Sequence, residues 1–203
     1  VKHSKPVIGI IGGIASGKSY IASLFGRLGC GVIDADAIVE RLYENSAALR
    51  AKLASLFGEN AVVEGKVNRA FIGEQVFTDK GKLALLNEAV HPLVIEQIRE
   101  RRDEILNDKS SKAVIYDVPL LLEAGLDGDC DAIVFVDCDE RVRELRFKER
   151  DGFTEKEHAR REKGQIFLDK KRKIANYIIN NNSFDMGALE RVDRILSEIL
   201  QNL

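Results

Sequence analysis

Residues 6–20 read P-V-I-G-I-I-G-G-I-A-S-G-K-S-Y, and no other stretch restricts the fold so tightly. The first half is apolar and β-branched, which suits a buried strand. The second half, Gly12-Gly13-Ile14-Ala15-Ser16-Gly17-Lys18-Ser19, is a complete G-x-x-x-x-G-K-[ST] phosphate loop. Tyr20-Ile21-Ala22-Ser23-Leu24-Phe25 follows, with apolar residues at 21, 24, 25 and 28 in helical spacing. The glycines let successive backbone N–H groups turn inward on a phosphate, and the helix behind them adds the positive end of its dipole. Lys18 is expected as an exposed loop side chain that reaches β/γ-phosphates, with the Ser19 hydroxyl a ligand for the metal bridging them.

Composition narrows the partners. The 203 residues are enough for one sizeable core with a subdomain or large insertion. A net charge of −2 supplies no global field to draw the chain to nucleic acid or to an anionic membrane. Cys30, Cys130 and Cys138 form no C-x-x-C pair, and their odd number argues against a disulfide framework, so a reduced, cytoplasmic setting is expected. The basic opening V-K-H-S-K runs into an apolar stretch too short for a signal sequence, and nothing approaches membrane-spanning length.

Along the chain, Val32-Ile33 predicts a short strand ending in Asp34-Ala35-Asp36. Carboxylates beyond a strand end stand where open α/β sheets bind ligands, although Asp is also a favoured helix cap. From Ala37 to about Leu106 the pattern is mostly helical, clearest over Ala47–Phe57 and Leu83–Asn107, with breaks at Gly58 and Gly65 and a new segment at Val67-Asn68-Arg69. Such an insertion between the second and third strands is expected to carry a second substrate. Within it, His91-Pro92 is read as a place where a helix turns; a lone histidine is more often structural or exposed than a ligand. Ala113–Pro119 predicts a buried strand with Asp117 at its carboxyl end, placed to hold Mg²⁺ directly or through water, and Pro119 stopping it. Ala132–Asp137 is wholly apolar up to its last residue, so it should have neighbours on both sides. Residues 141–173 are dense in charge, and most of these side chains read as a solvated helix surface with i,i+4 ion pairs. The break at Asp151-Gly152-Phe153 divides the stretch into a helical hairpin suited to a lid over polyphosphate. Tyr177-Ile178-Ile179 predicts a last strand before Asn180-Asn181-Asn182, and an amphipathic helix closes the chain over Met186–Leu200.

Taken together, G-I-I-G-G-I-A-S-G-K-S, V-I-D-A-D, N-R-A-F-I-G-E-Q-V-F, V-H-P-L-V, D-V-P-L-L-L-E, R-D-G-F-T, R-R-E-K-G-Q and A-N-Y-I-I-N-N-N resemble the dephospho-coenzyme A kinase family over nearly the whole chain. The resemblance implies an α/β P-loop NTPase fold of the nucleotide-kinase type: three layers, a five-stranded parallel sheet, a helical acceptor-binding domain and a helical lid. It places the nucleotide-binding core at 1–36, 110–140 and 166–203, the helical coenzyme-binding domain at 37–109 and the lid at 141–165. It implies transfer of the ATP γ-phosphate to the ribose 3′-hydroxyl of dephospho-CoA, with ATP and Mg²⁺ required and no obligate protein partner. Carried onto matching positions, Asp36, Lys18 and Arg150 would be catalytic. Gly13, Ile14, Ala15, Ser16, Gly17, Lys18, Ser19, Tyr20 and Asn181 would bind ATP. Asp34, Asp36, Arg69, His91, Pro119 and Leu120 would bind the acceptor, and Ser19 and Asp117 the metal. Several positions depart from the pattern: Ile11 where threonine is common, Ala15 for a glycine, Tyr20 for a second hydroxyl residue, Glu40 where a base is frequent, and Asn176 for an aspartate. A different small-molecule P-loop kinase, acting on a nucleoside or nucleotide, would share the length and lid but not D-A-D and H-P. A regulatory GTPase would need an N-K-x-D motif, which the sequence lacks. A nucleic-acid-dependent ATPase is disfavoured by the acidic charge balance.

Overall fold

The computed structural model describes residues 5–149, 168–183 and 187–202. β1 (Val7–Gly12) is buried at every position because it is the middle strand of a five-stranded sheet. β5 (Val114–Asp117) and β6 (Ala132–Asp137) flank it, and β2 (Gly31–Asp34) and β7 (Tyr177–Asn180) form the edges. The order is β2-β5-β1-β6-β7, and every pairing is parallel. β6 thus has a neighbour on each side, as its unbroken apolar run requires.

Parallel strands need crossovers, and helices supply them. α1 (Lys18–Arg27) packs on α8 (Gly187–Gln201), the last helix of the chain. Ile21, Leu24 and Phe25 of the first and Val192, Leu196 and Ile199 of the second close over Ile8, Ile10, Ile115 and Val134 of the sheet. Each such fully buried side chain contributes about 1.5–3 kcal/mol. α6 (Glu140–Lys148) follows β6, and α7 (Leu168–Ile174) packs against β1 and β6.

The chain divides into two compact units, 1–34 with 102–203, and 35–101. The second unit holds α2 (Ala35–Asn45), α3 (Ala47–Phe57), α4 (Arg69–Thr78) and the first part of α5 (Lys80–Asn107). Ser46 caps α3 by accepting from Leu49 N at 3.1 Å, and Asn68 caps α4 by accepting from Phe71 N at 3.1 Å.

Three features differ from the sequence reading. A small antiparallel hairpin, β3 (Val62–Val63) with β4 (Lys66–Val67), interrupts the helices. Its turn puts Glu64 at φ 50° and Gly65 at φ 74°, the left-handed pair that a tight hairpin needs. His91-Pro92 does not turn a helix but lies inside α5. Glu88 and Pro92 are both exposed, so water can serve the carbonyl that proline leaves without its i+4 donor. Val90, Val94 and Ile98, one turn apart and buried, hold the helix through that point. Finally, the strand ends at Asp34 and α2 begins at Ala35. Asp36 is therefore in the first turn of a helix, where the dipole favours its charge, and strand alternation does not pair it with Asp34.

The last turn of α5 sits on the edge strand that ends in Asp34. A Cβ at Gly31 would lie 2.8 Å from Ile105 Cδ1 and closer still to its Cγ2. Gly31→Ala is expected to lower stability by about 1–3 kcal/mol through overpacking. Urea unfolding measures this, and an unchanged midpoint would show that the contact yields without cost.

Candidate active site

The phosphate loop is held from behind by one side chain just past β7 and another on α6. Ser16 is fully buried, and its carbonyl accepts from Asn181 Nδ2 at 2.7 Å and from Arg146 Nη1 at 3.4 Å. Asn181 follows β7 and is itself fully buried, with its N–H bonded to Asp137 O at 2.8 Å. The amide thus grips the loop's backbone. The next residue, Gly17, has φ 90°, and a Cβ there would run into Asn181 Nδ2. Only glycine meets both demands. Ala15 sits at φ 57° with a side chain in the left-handed region, a strained position for a residue other than glycine.

Lys18 is the first residue of α1 and half-buried, not an exposed loop side chain. Its Nζ donates to Gly13 O at 2.9 Å and to Gly12 O at 3.4 Å, so the ammonium lies across the mouth of the loop. Ser19 is exposed in the first turn of α1, and Tyr20 and Ile14 are half-buried. The first N–H groups of α1 have no partner within the helix and present a partial positive charge.

Two carboxylates end adjacent strands. Asp117 on β5 is 5% exposed and pairs in register with Asp34 on β2, which is exposed. β5 lies directly beside β1, so Asp117 is one strand away from the phosphate loop. Among the described residues no group of three or more His, Cys, Asp or Glu could hold a metal ion. A hydroxyl on Ser19 and a carboxylate on Asp117 are a sparse, all-oxygen set. That fits Mg²⁺, which keeps several waters and is held largely by substrate phosphates.

The charged stretch after β6 hides two residues that the sequence reading left on a solvated surface. Arg143 is 6% exposed, and a Cβ at Gly13 would stand 3.0 Å from its Nη1. Arg146, one turn on, reaches Ser16 O and also donates to Cys138 Sγ at 3.4 Å. Their three-residue spacing, just after a strand next to β1, is the signal that could have singled them out. Arg143, Gly13, Asp137, Asp169 and Arg172 line a cavity of about 170 Å³, and Arg172 pairs with Asp137 at 2.8 Å. Burial pushes the Cys138 thiol up against the opposing pull of Arg146 and Arg143. Burial likewise drives Cys30 to about 11 and Cys130 to about 12, so neither offers a thiolate near neutrality.

This arrangement is a nucleotide-phosphate site, and the comparisons with known proteins say whose. A family model described as dephospho-CoA kinase matches residues 6–185. The chain belongs to the dephospho-CoA kinase family. A relative in Syntrophotalea carbinolica, named dephospho-CoA kinase, is 38% identical over 91% of this chain and 86% of its own length. Among solved structures, a Thermus thermophilus protein has a TM-score of 0.79 at 33% identity, covering 100% of this chain and 99% of its own. The dephospho-CoA kinase of Campylobacter jejuni has a TM-score of 0.70 at 26% identity, covering 98% of each chain.

The remaining candidate residues of this dephospho-CoA kinase family member are distributed as follows. Pro119 and Leu120 stand in the first unit, just past β5, and Leu120 is exposed. Asp36, Arg69 and His91 belong to the second unit and are all exposed. Arg69 pairs with Glu40 at 3.6 Å, and its guanidinium lies 5.8 Å from the centre of the Tyr43 ring. Glu40 therefore faces a candidate acceptor-binding arginine. Arg150 lies outside the described residues, as do the Asp151-Gly152-Phe153 break and the second helix expected of the lid.

Lys18→Ala should abolish most phosphoryl transfer while leaving the far-ultraviolet circular dichroism spectrum unchanged. The substitution removes the ammonium and its part-buried bonds to the loop carbonyls of Gly12 and Gly13, not a core side chain. A variant retaining most of its turnover would remove Lys18 from the machinery.

Proposed function

We propose that this chain transfers the γ-phosphate of ATP to the ribose 3′-hydroxyl of dephospho-CoA, giving coenzyme A and ADP in the last step of coenzyme A synthesis. One observation carries the reading: a braced phosphate loop with Asp117 one strand away, in a chain matched over residues 6–185 by the dephospho-CoA kinase family model.

Phosphoryl transfer passes through a loose transition state with charge spread over the transferred oxygens, so the protein contributes mainly positioning and positive charge. Lys18 exchanges its loop carbonyls for β/γ-phosphate oxygens, and the N–H groups of the loop and of α1 hold the rest of the triphosphate. Ser19 and Asp117 would hold Mg²⁺, the latter directly or through water, where bound metal would supply neutralisation of phosphate charge. Gly13 to Tyr20 and Asn181 bind ATP, and Asn181 also braces the loop through Ser16 O. Arg150 supplies positive charge to the transferring group.

On the acceptor side, the helical segment 37–109 binds dephospho-CoA, with Arg69, His91, Pro119 and Leu120 as contacts. Asp36 orients the 3′-hydroxyl and accepts its proton late in the reaction, and Asp34 shares the acceptor's hydrogen bonds. No protein partner, nucleic acid or membrane is needed, and among the described residues no helix is long and apolar enough to cross a membrane. Cys30, Cys130 and Cys138 are free thiols, which suits a cytoplasmic enzyme.

A coupled assay of ADP release with ATP·Mg²⁺, comparing dephospho-CoA with ordinary nucleosides and nucleotides, tests the reading. Turnover with dephospho-CoA well above all others is expected; preference for a nucleoside would replace it with a different small-molecule kinase. Asp36→Asn keeps the shape but removes the proton acceptor, so kcat should fall on the order of a hundredfold or more with much less change in dephospho-CoA binding. Normal turnover in Asp36→Asn with an inactive Asp34→Asn would transfer the role to Asp34.

A further inference from the structure

Lys171 is among the most deeply buried large side chains of the described chain, at 2% exposure, although lysine is rarely buried without a partner. Its Nζ lies 3.3 Å from Glu123 Oε1, and the Glu123 side chain is itself 18% exposed. The two residues come from segments with different duties. Glu123 belongs to the turn after β5, whose backbone closes on itself through Leu121 N to Val118 O at 3.2 Å and Ala124 N to Leu120 O at 2.8 Å. That turn displays Pro119 and Leu120. Lys171 belongs to α7, which packs on β1 and β6. The next residue of α7, Arg172, pairs with Asp137 at 2.8 Å and lines the cavity beside Gly13. One short helix therefore grips the sheet at the phosphate-loop side with one cation and the 119–125 turn with the other.

We propose that the ion pair between buried Lys171 and Glu123 is a positioning device that sets the Pro119–Leu120 turn for the acceptor, so that acceptor affinity depends on it while ATP affinity does not. The inference rests on the proposed reading that Pro119 and Leu120 line the acceptor side. Physically, an apolar turn such as Leu120-Leu121-Leu122 has several ways of burying its leucines. An ion pair to a buried ammonium has fewer, because moving the carboxylate away takes a charge partner from a poorly hydrated place. The pair thus favours a single arrangement of the turn, and Leu120 is left exposed in it at 38%. Lys171 touches no reacting atom in this account; it acts through Glu123.

Steady-state kinetics of the full-length enzyme with dephospho-CoA and ATP·Mg²⁺ provide the test, with Lys171→Met, Glu123→Gln, the double variant and Lys171→Arg. Lys171→Met is expected to raise KM for dephospho-CoA tenfold or more with KM for ATP within twofold of wild type. Glu123→Gln, nearly isosteric and partly exposed, should raise it at least fivefold and remains informative if Lys171→Met does not fold. The double variant should be no worse than the poorer single variant, and Lys171→Arg should restore most of the affinity. Folded variants with unchanged KM for dephospho-CoA, equal rises in both KM values, or strictly multiplicative effects in the double variant would each overturn the proposal. Wild-type turnover of dephospho-CoA is measured in the same series. If it is absent, the functional reading fails; if it is present and the variants behave as wild type, only the positioning role fails.

Discussion

The site depends on one carbonyl. Ser16 O is held by an amide from the end of β7 and a guanidinium from α6, and this fixes the peptide between Ser16 and Gly17 in a glycine-rich loop that would otherwise sample many shapes. Ordering a residue costs about 1–2 kcal/mol of conformational entropy, while a neutral hydrogen bond returns about 0.5–1.5 and a charged one about 1.5–3. Two such bonds on one oxygen are enough to hold the strained turn in place. They exist only because the sheet order brings β6 and β7 to the side of β1 opposite β5. Fold and phosphate binding are therefore linked by geometry: one side of β1 supplies the brace, and the other supplies Asp117.

Charge is distributed by the same logic. The whole chain carries only −2, yet Lys18, Arg143, Arg146 and Arg172 gather around the loop and the end of β6. Asp137 offsets Arg172, and Glu123 offsets the buried Lys171. A polyanion would meet a local positive field there, made stronger by the low-dielectric surroundings of buried groups.

Much of this was legible in the sequence, and the omissions have physical causes. The phosphate loop, β5 and β6 announce themselves because glycine spacing and continuous apolar runs are local signals. α3 and the closing helix follow from periodicity in the same way. The β3–β4 hairpin escaped because each strand has two residues, too few to show alternation. Pro92 was read as a turn because sequence cannot show that Glu88 is exposed and its carbonyl can be solvated. Asp36 is read from sequence as part of the strand's end, whereas α2 starts a residue earlier and takes it into a helical turn. Arg143, Arg146 and Lys171 were lost in a run of charges, where only tertiary packing separates a buried cation from a solvated one. Their roles depend on which strand lies beside β1, and that is not written in local composition.

The account stands or falls on where the phosphate goes. Phosphorus NMR of the product formed from dephospho-CoA and ATP·Mg²⁺ would locate it directly. The structure and the family membership lead to a single new phosphomonoester on the ribose 3′-oxygen, formed in step with ADP. A phosphate attached elsewhere, or ADP and inorganic phosphate appearing with the acceptor unchanged, would contradict it.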